Sequence, residues 1–169
     1  MAANGLYNSV VGQARHPSFY LQANVPDTLD GRFDMIVLHA FVVMHRLKDG
    51  DEDALEMSQA LFDEMFADMD RSLREMGVGD MGIGKRVRAM GKAFLGRTKA
   101  YQSALEADHG ELAEAIMRNV YRSDEPASED AVRLAGYVRD KIARLKLNSL
   151  DDLMQGRVAC GDALPESAQ

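Results

Sequence analysis

Tryptophan is absent from this 169-residue chain, cysteine occurs once and proline only four times. The lone Cys160 can form no internal disulfide, so the fold rests on its core, and the composition suits a reducing compartment. So few prolines leave long stretches without a helix breaker. No apolar run is long enough to cross a bilayer. The longest, Met35 to Met44, covers ten residues and is broken by His39, whereas about 20 are needed. It reads as a buried core helix. The start, MAANGLYNSV, has no basic segment ahead of an apolar one and is not Arg-rich. Neither a secretory signal nor a mitochondrial presequence is expected.

Catalytic and metal-binding patterns are missing too. The paired Glu-x-x-His motifs of di-iron bundles do not occur. His16, His39, His45 and His109 are scattered. His39 and His45 are six residues apart and fall on different faces of a helix, unlike a zinc-ligand pair. His39, between apolar neighbours, reads as a satisfied core histidine. Ser72, Ser103 and Cys160 have no recognisable activating partner. The acidic group Asp63, Glu64, Asp68 and Asp70 reads as a solvated helix face. No catalytic residue, metal or cofactor is therefore expected.

What the chain does have is helical period. Apolar residues make up 46% and charged residues 28%, ordinary for a globular domain that buries a proper core. No strand alternation persists, and the expected fold is a single all-α domain of five to seven helices spanning residues 1–169. A short helix over Ala2 to Gly12 precedes an extended arm, His16 to Pro26, whose Phe19 and Tyr20 need burial. A long helix starts at an Asp27 cap, with Asp30 in a capping-box-like position. Its Phe33, Ile36, Val37, Ala40, Met44 and Leu47 make one apolar face. A second runs from Asp51 to Met76, with Leu55, Phe62, Met65, Phe66, Met69, Leu73 and Met76 on its apolar side. Gly77 stops it. A third runs from about Gly82 to Asp108, and further helices cover Glu111 to Arg122 and Ala127 to Leu147. Ser149 caps a last short one, and the end from Gly161 frays.

The loop between the second and third long helices matches two phosphate-binding patterns. Gly77, Gly79 and Gly82 fit G-x-G-x-x-G, and Gly79 to Lys85 fit the start of a P-loop. Both need a strand in front. Here a helix precedes the loop, and Arg86 stands where Ser or Thr would hold magnesium. The glycines read as a sharp helix–helix turn. The competing functional reading is a helical protein that holds a phosphate-bearing ligand or haem at Gly77–Lys85.

Charge is strongly segregated. Asp27 to Asp70 holds twelve acidic and three basic residues, while Lys85 to Lys99 holds six basic and no acidic ones. Lys85, Arg88, Lys92 and Lys99 lie opposite the third helix's apolar stripe, as an outward surface for anionic headgroups or a ribosome. The net charge of −7 argues against DNA as a partner of the whole molecule. Eleven methionines, among them Met57, Met65, Met69, Met76, Met81 and Met90, read for the most part as adaptable core filler, with pliable contact to varied apolar helices as the functional alternative.

Several runs resemble the ubiquinol–cytochrome c chaperone family. They are Phe19-Tyr20, Val25 to Phe33 (VPDTLDGRF), Leu38-His39, Arg46-Leu47 and the block Gln59 to Tyr101. Within the block, Leu61-Phe62-Asp63, Asp68 to Asp80, Gly84-Lys85, Ala93-Phe94 and Gly96-Arg97 carry the likeness. The resemblance implies an all-helical, non-enzymatic assembly factor for the ubiquinol–cytochrome c reductase complex (respiratory complex III). Its mitochondrial relatives bind newly made cytochrome b near the ribosome exit, together with a small partner protein. With no presequence or membrane-inserting extension, this chain looks like a bacterial member, cytoplasmic or peripheral at the inner face of the cell membrane. The expected partner-binding residues are Met65, Met69, Asp68, Asp70, Arg71, Arg74, Gly77, Gly79, Asp80 and Lys85. Lys85, Arg88, Lys92 and Lys99 are the expected membrane or ribosome contact.

Overall fold

A computed structural model describes residues 1–158 and Leu164. The expected frayed end from Gly161 therefore lies outside the described residues, apart from Leu164, which is buried. All regular structure among the described residues is helical: α1 Ala2–Ala14, α2 Pro17–Leu21, α3 Leu29–Leu47, α4 Glu52–Glu75, α5 Asp80–Glu106, α6 His109–Asn119, α7 Glu129–Leu147 and α8 Leu150–Met154. Six of these exceed ten residues, and α2 and α8 are five-residue turns.

α3 is the axis of the molecule. Thirteen of its nineteen residues are buried, because a helix apolar on nearly every side is stable only when other helices surround it. α1, α4, α5 and α7 pack around it, and α6 bridges α5 and α7. His39 sits inside this core. Its Nδ1 lies 2.8 Å from the Met35 carbonyl and its Nε2 2.9 Å from the Tyr137 hydroxyl. A carbonyl only accepts, so Nδ1 carries the proton and Nε2 accepts from Tyr137. The Phe19 ring packs edge-on against both, with centroids 5.3 and 5.1 Å away.

Two local expectations are corrected. The segment His16 to Pro26 is not wholly extended. Pro17 at the first helical position and the His16 ring, which accepts from the Ser18 amide, start the turn of α2. That turn carries Phe19 into the core. The cap of α3 is Thr28, not Asp27: its side chain accepts from the Gly31 amide at 3.0 Å. Asp27 instead pairs with Arg32 at 2.8 Å. Gly31 has to be glycine here, because a Cβ would collide with the Pro26 carbonyl.

The one Glu-x-x-His spacing in the chain, Glu106 to His109, straddles the break between α5 and α6. It is therefore not a helical pair. Among the described residues no three His, Cys, Asp or Glu side chains group as metal ligands, and no helix is long and apolar enough to cross a membrane.

Candidate functional site at the α4–α5 hairpin

α4 and α5 are the longest helices, about 36 and 40 Å at 1.5 Å per residue. About midway along them, Phe62, Phe66 and Phe94 form a cluster with centroids 4.5 to 6.1 Å apart. Toward the tip only Leu73 and Ile83 are buried, and neither belongs to the main core. The hairpin is thus anchored at one end and projects at the other.

The glycine-rich turn closes the tip by backbone geometry. Gly77 has φ +81°. The Gly77 amide donates to the Arg74 carbonyl at 3.0 Å and the Val78 amide to the Leu73 carbonyl at 3.1 Å. These two bonds are a Schellman motif, which satisfies the open carbonyls of α4. Gly79 then begins α5, and its carbonyl accepts from the Ile83 amide. Arg74 ties the two helices together, reaching Asp70 and Asp80 at 2.8 Å each. A helix, not a strand, leads into the turn, so the two phosphate-motif spacings lack the cradle they need.

The expected partner-binding residues separate in space. Met65 is 1% exposed and belongs to the core. It is thereby removed from any contact surface. Met69 packs partly against the same core, while Met76 and Met81 are exposed. Leu55, expected on the apolar side of α4, is exposed as well. The methionines therefore form no continuous outer patch.

The acidic face of α4 is only partly solvated. Asp68 accepts from the Tyr7 hydroxyl and from Arg71, both at 2.6 Å, and Glu64 accepts from Asn4 at 3.3 Å. The bonds from Tyr7 and Asn4 dock α1 on α4. Burial works against the charged Asp68, but the bonds from Arg71 and Tyr7 outweigh it and hold the carboxyl below its usual range. Lys85, Arg88, Lys92 and Lys99 are all exposed. None makes an ion pair among the described residues.

Beside the hairpin lies an open groove of about 510 Å³ between the start of α3, the end of α4 and one flank of α5. Leu29, Phe33, Leu73 and Met90 give it an apolar floor; Arg86, Arg97 and Arg122 stand around it. Leu29 is 53% exposed. Two of these arginines are fixed by Asp34, a carboxylate in the otherwise apolar run of α3. Asp34 is fully buried, 2.7 Å from Arg97 Nη1 and 3.2 Å from Arg122 Nε. The Arg97 contact is an ion pair outside hydrogen-bond angles. Burial pushes the Asp34 carboxyl up, and the two guanidinium groups pull it back without fully offsetting the desolvation. Arg97 also stacks over Phe33 at 5.5 Å.

Periodicity did not identify this groove. The signal was there in Asp34, whose carboxylate inside an apolar stripe requires a buried cationic partner. Its partners come from far along the chain, so spacing could not name them.

A family model described as ubiquinol-cytochrome C chaperone matches residues 21–160. The chain is 26% identical to ubiquinol-cytochrome c reductase complex assembly factor 1 of Mus musculus over 94% of its own length and 54% of the mouse protein. It is 25% identical to the Xenopus laevis protein of that name, over 100% of this chain and 85% of the frog protein. It thus spans about half the mouse relative and most of the frog one. The crystal structure of the Cbp3 homolog from Brucella abortus superposes with a TM-score of 0.83, at 36% identity, covering 95% of this chain and 89% of that one. The chain belongs to the ubiquinol-cytochrome C chaperone family, the family of ubiquinol–cytochrome c reductase assembly factors.

Proposed function

We propose that the protein is a non-enzymatic chaperone that holds newly made cytochrome b while complex III is built. The groove beside the hairpin carries this reading. Its floor is apolar, open and partly wet, which is costly unless something covers it. Two of its arginines, Arg97 and Arg122, are preset by Asp34, and Arg97 also by Phe33, so they lose little freedom on binding. An apolar helix offers such a site both of the groups it needs. Its side chains cover the floor, and the bare carbonyls of its last turn accept from the guanidinium groups.

The hairpin tip serves as a projecting wall of the groove. Asp70, Arg74 and Asp80 fix its shape, and the exposed Met76 adds pliable contact. Asp68 and Arg71 act one step back, by seating α1 against α4. Gly77 and Gly79 set the angle of the turn.

The reading is tested by deleting the gene and restoring it as wild type or as the double variant Leu29→Glu, Ala89→Glu. Both positions are exposed, so the variant keeps its fold by circular dichroism. The expected result is loss of cytochrome b and of assembled complex III in the deletion, rescue by wild type and no rescue by the variant. Normal complex III in the deletion strain would sink the proposal.

A further inference from the structure

The outward face of α5 carries more than cations. At ~100° of turn per residue, Met81, Lys85, Arg88, Lys92, Leu95 and Lys99 fall in one stripe about 80° wide. It lies opposite the buried Ile83, Phe94 and Tyr101. All six stripe residues are exposed, Met81 by 93% and Leu95 by 62%. The four cations have no ion-pair partner among the described residues. No acidic residue stands between Asp80 and Glu106. Those two are themselves engaged, Asp80 by Arg74 and Glu106 by Gln102.

We infer that this face of α5 rests on an anionic lipid bilayer. Lys85, Arg88, Lys92 and Lys99 meet lipid phosphates, and Met81 and Leu95 enter the boundary between headgroups and acyl chains. The two apolar side chains stand about 21 Å apart along the helix, fourteen residues at 1.5 Å each. They would seat the Met81–Leu95 stretch at both ends, parallel to the surface. This is the pattern of an interfacial helix: basic side chains for headgroups and large apolar ones for the layer beneath. A nucleic-acid backbone accounts for the cations but gives no reason to keep two large apolar side chains in water among them.

The chain's net charge of −7 does not oppose the contact. The Debye length is about 8 Å at physiological ionic strength, so acidic faces on the far side are screened while touching cations are not. The inference rests on the chaperone reading for its use. The groove residues Arg86, Ala89, Met90 and Ala93 lie on an adjoining flank of the same helix. A protein seated in this way opens its groove sideways along the membrane plane, where a membrane-inserted client lies.

The test is co-sedimentation of purified protein with phosphatidylcholine vesicles, with and without phosphatidylglycerol. Binding is expected only to the anionic vesicles. Each cation near such a surface is worth about fivefold. The quadruple variant Lys85→Gln, Arg88→Gln, Lys92→Gln, Lys99→Gln should therefore bind at least about a hundredfold more weakly. Met81→Ser with Leu95→Ser should remove the part of binding that survives high salt, while leaving any binding to ribosomal RNA unchanged. Equal affinity for neutral and anionic vesicles would overturn the inference. So would undiminished vesicle binding by the serine variant, or capture by ribosomal RNA with none by vesicles. No cytochrome b is in the assay, so its failure leaves the groove proposal standing. Failure of the groove variant to lose function leaves the membrane contact standing.

Discussion

Two buried polar residues decide how tightly the core is specified. His39 has both ring nitrogens hydrogen-bonded while neutral, and burial lowers its pKa from 6.5 to about 4. Protonation would turn the Tyr137 hydroxyl from donor to acceptor, leaving its own proton to find another partner, and would place a charge in an apolar core. As the pH falls, the folded chain therefore takes up this proton later than the unfolded chain does. The stability at stake is intact above about pH 6.5 and is lost on the way down to about pH 4, by up to about 3 kcal/mol at 1.36 kcal/mol per unit. We expect wild type to lose about 2 kcal/mol more than His39→Gln between pH 7 and 5 in urea unfolding. His45, also lowered by burial, is present in both proteins and cancels. Equal losses would show that His39 does not titrate with unfolding. Its role was legible because an imidazole between apolar neighbours has to be either satisfied or functional. Asp34 was equally visible, but Arg97 and Arg122 were not legible as its partners, since long-range pairing leaves no period in the sequence.

Among the elements, the helices were legible almost to their ends, because the apolar period is strong and Ser, Thr, Asp and Gly mark the caps. The errors are local competitions. Thr28 outcompetes Asp27 as cap because Gly31 lets its amide approach. His16 and Pro17 turn an apparent arm into one turn of helix. The α4–α5 turn shows how much a single backbone angle can carry. Gly77→Ala forces an L side chain to φ +81° and should cost about 1 kcal/mol. Gly84→Ala, inside α5 with nothing within 4 Å of the added Cβ, should instead stabilise by up to about 1 kcal/mol. Hydrogen exchange at the Val78 amide should quicken in the first variant only. Similar exchange in both would mean that the Schellman bonds do not hold the tip.

At the scale of the molecule, helical class and family were legible, and the shape of the working surface was not. The methionine count fitted either core filler or a pliable patch, and packing divides the residues between the two: Met65 lies in the core, Met69 partly so, and Met76 and Met81 are outside. In its place, three consecutive helices, α3, α4 and α5, line an open groove. Its floor comes from residues such as Phe33 and Leu73 that looked like ordinary core. The charge segregation along the chain does survive folding, as a basic outer face on α5 flanking that groove.

The central claim is that this groove holds cytochrome b, and it is tested most directly by site-specific photocrosslinking in cells. A crosslinking amino acid at Ala89 or Ala93, on the groove flank of α5, should trap pulse-labelled cytochrome b. The same group at the exposed Val132 on α7 should not. Cytochrome b made at normal rates with no adduct from either groove position, or equal adducts from Val132, would contradict the account.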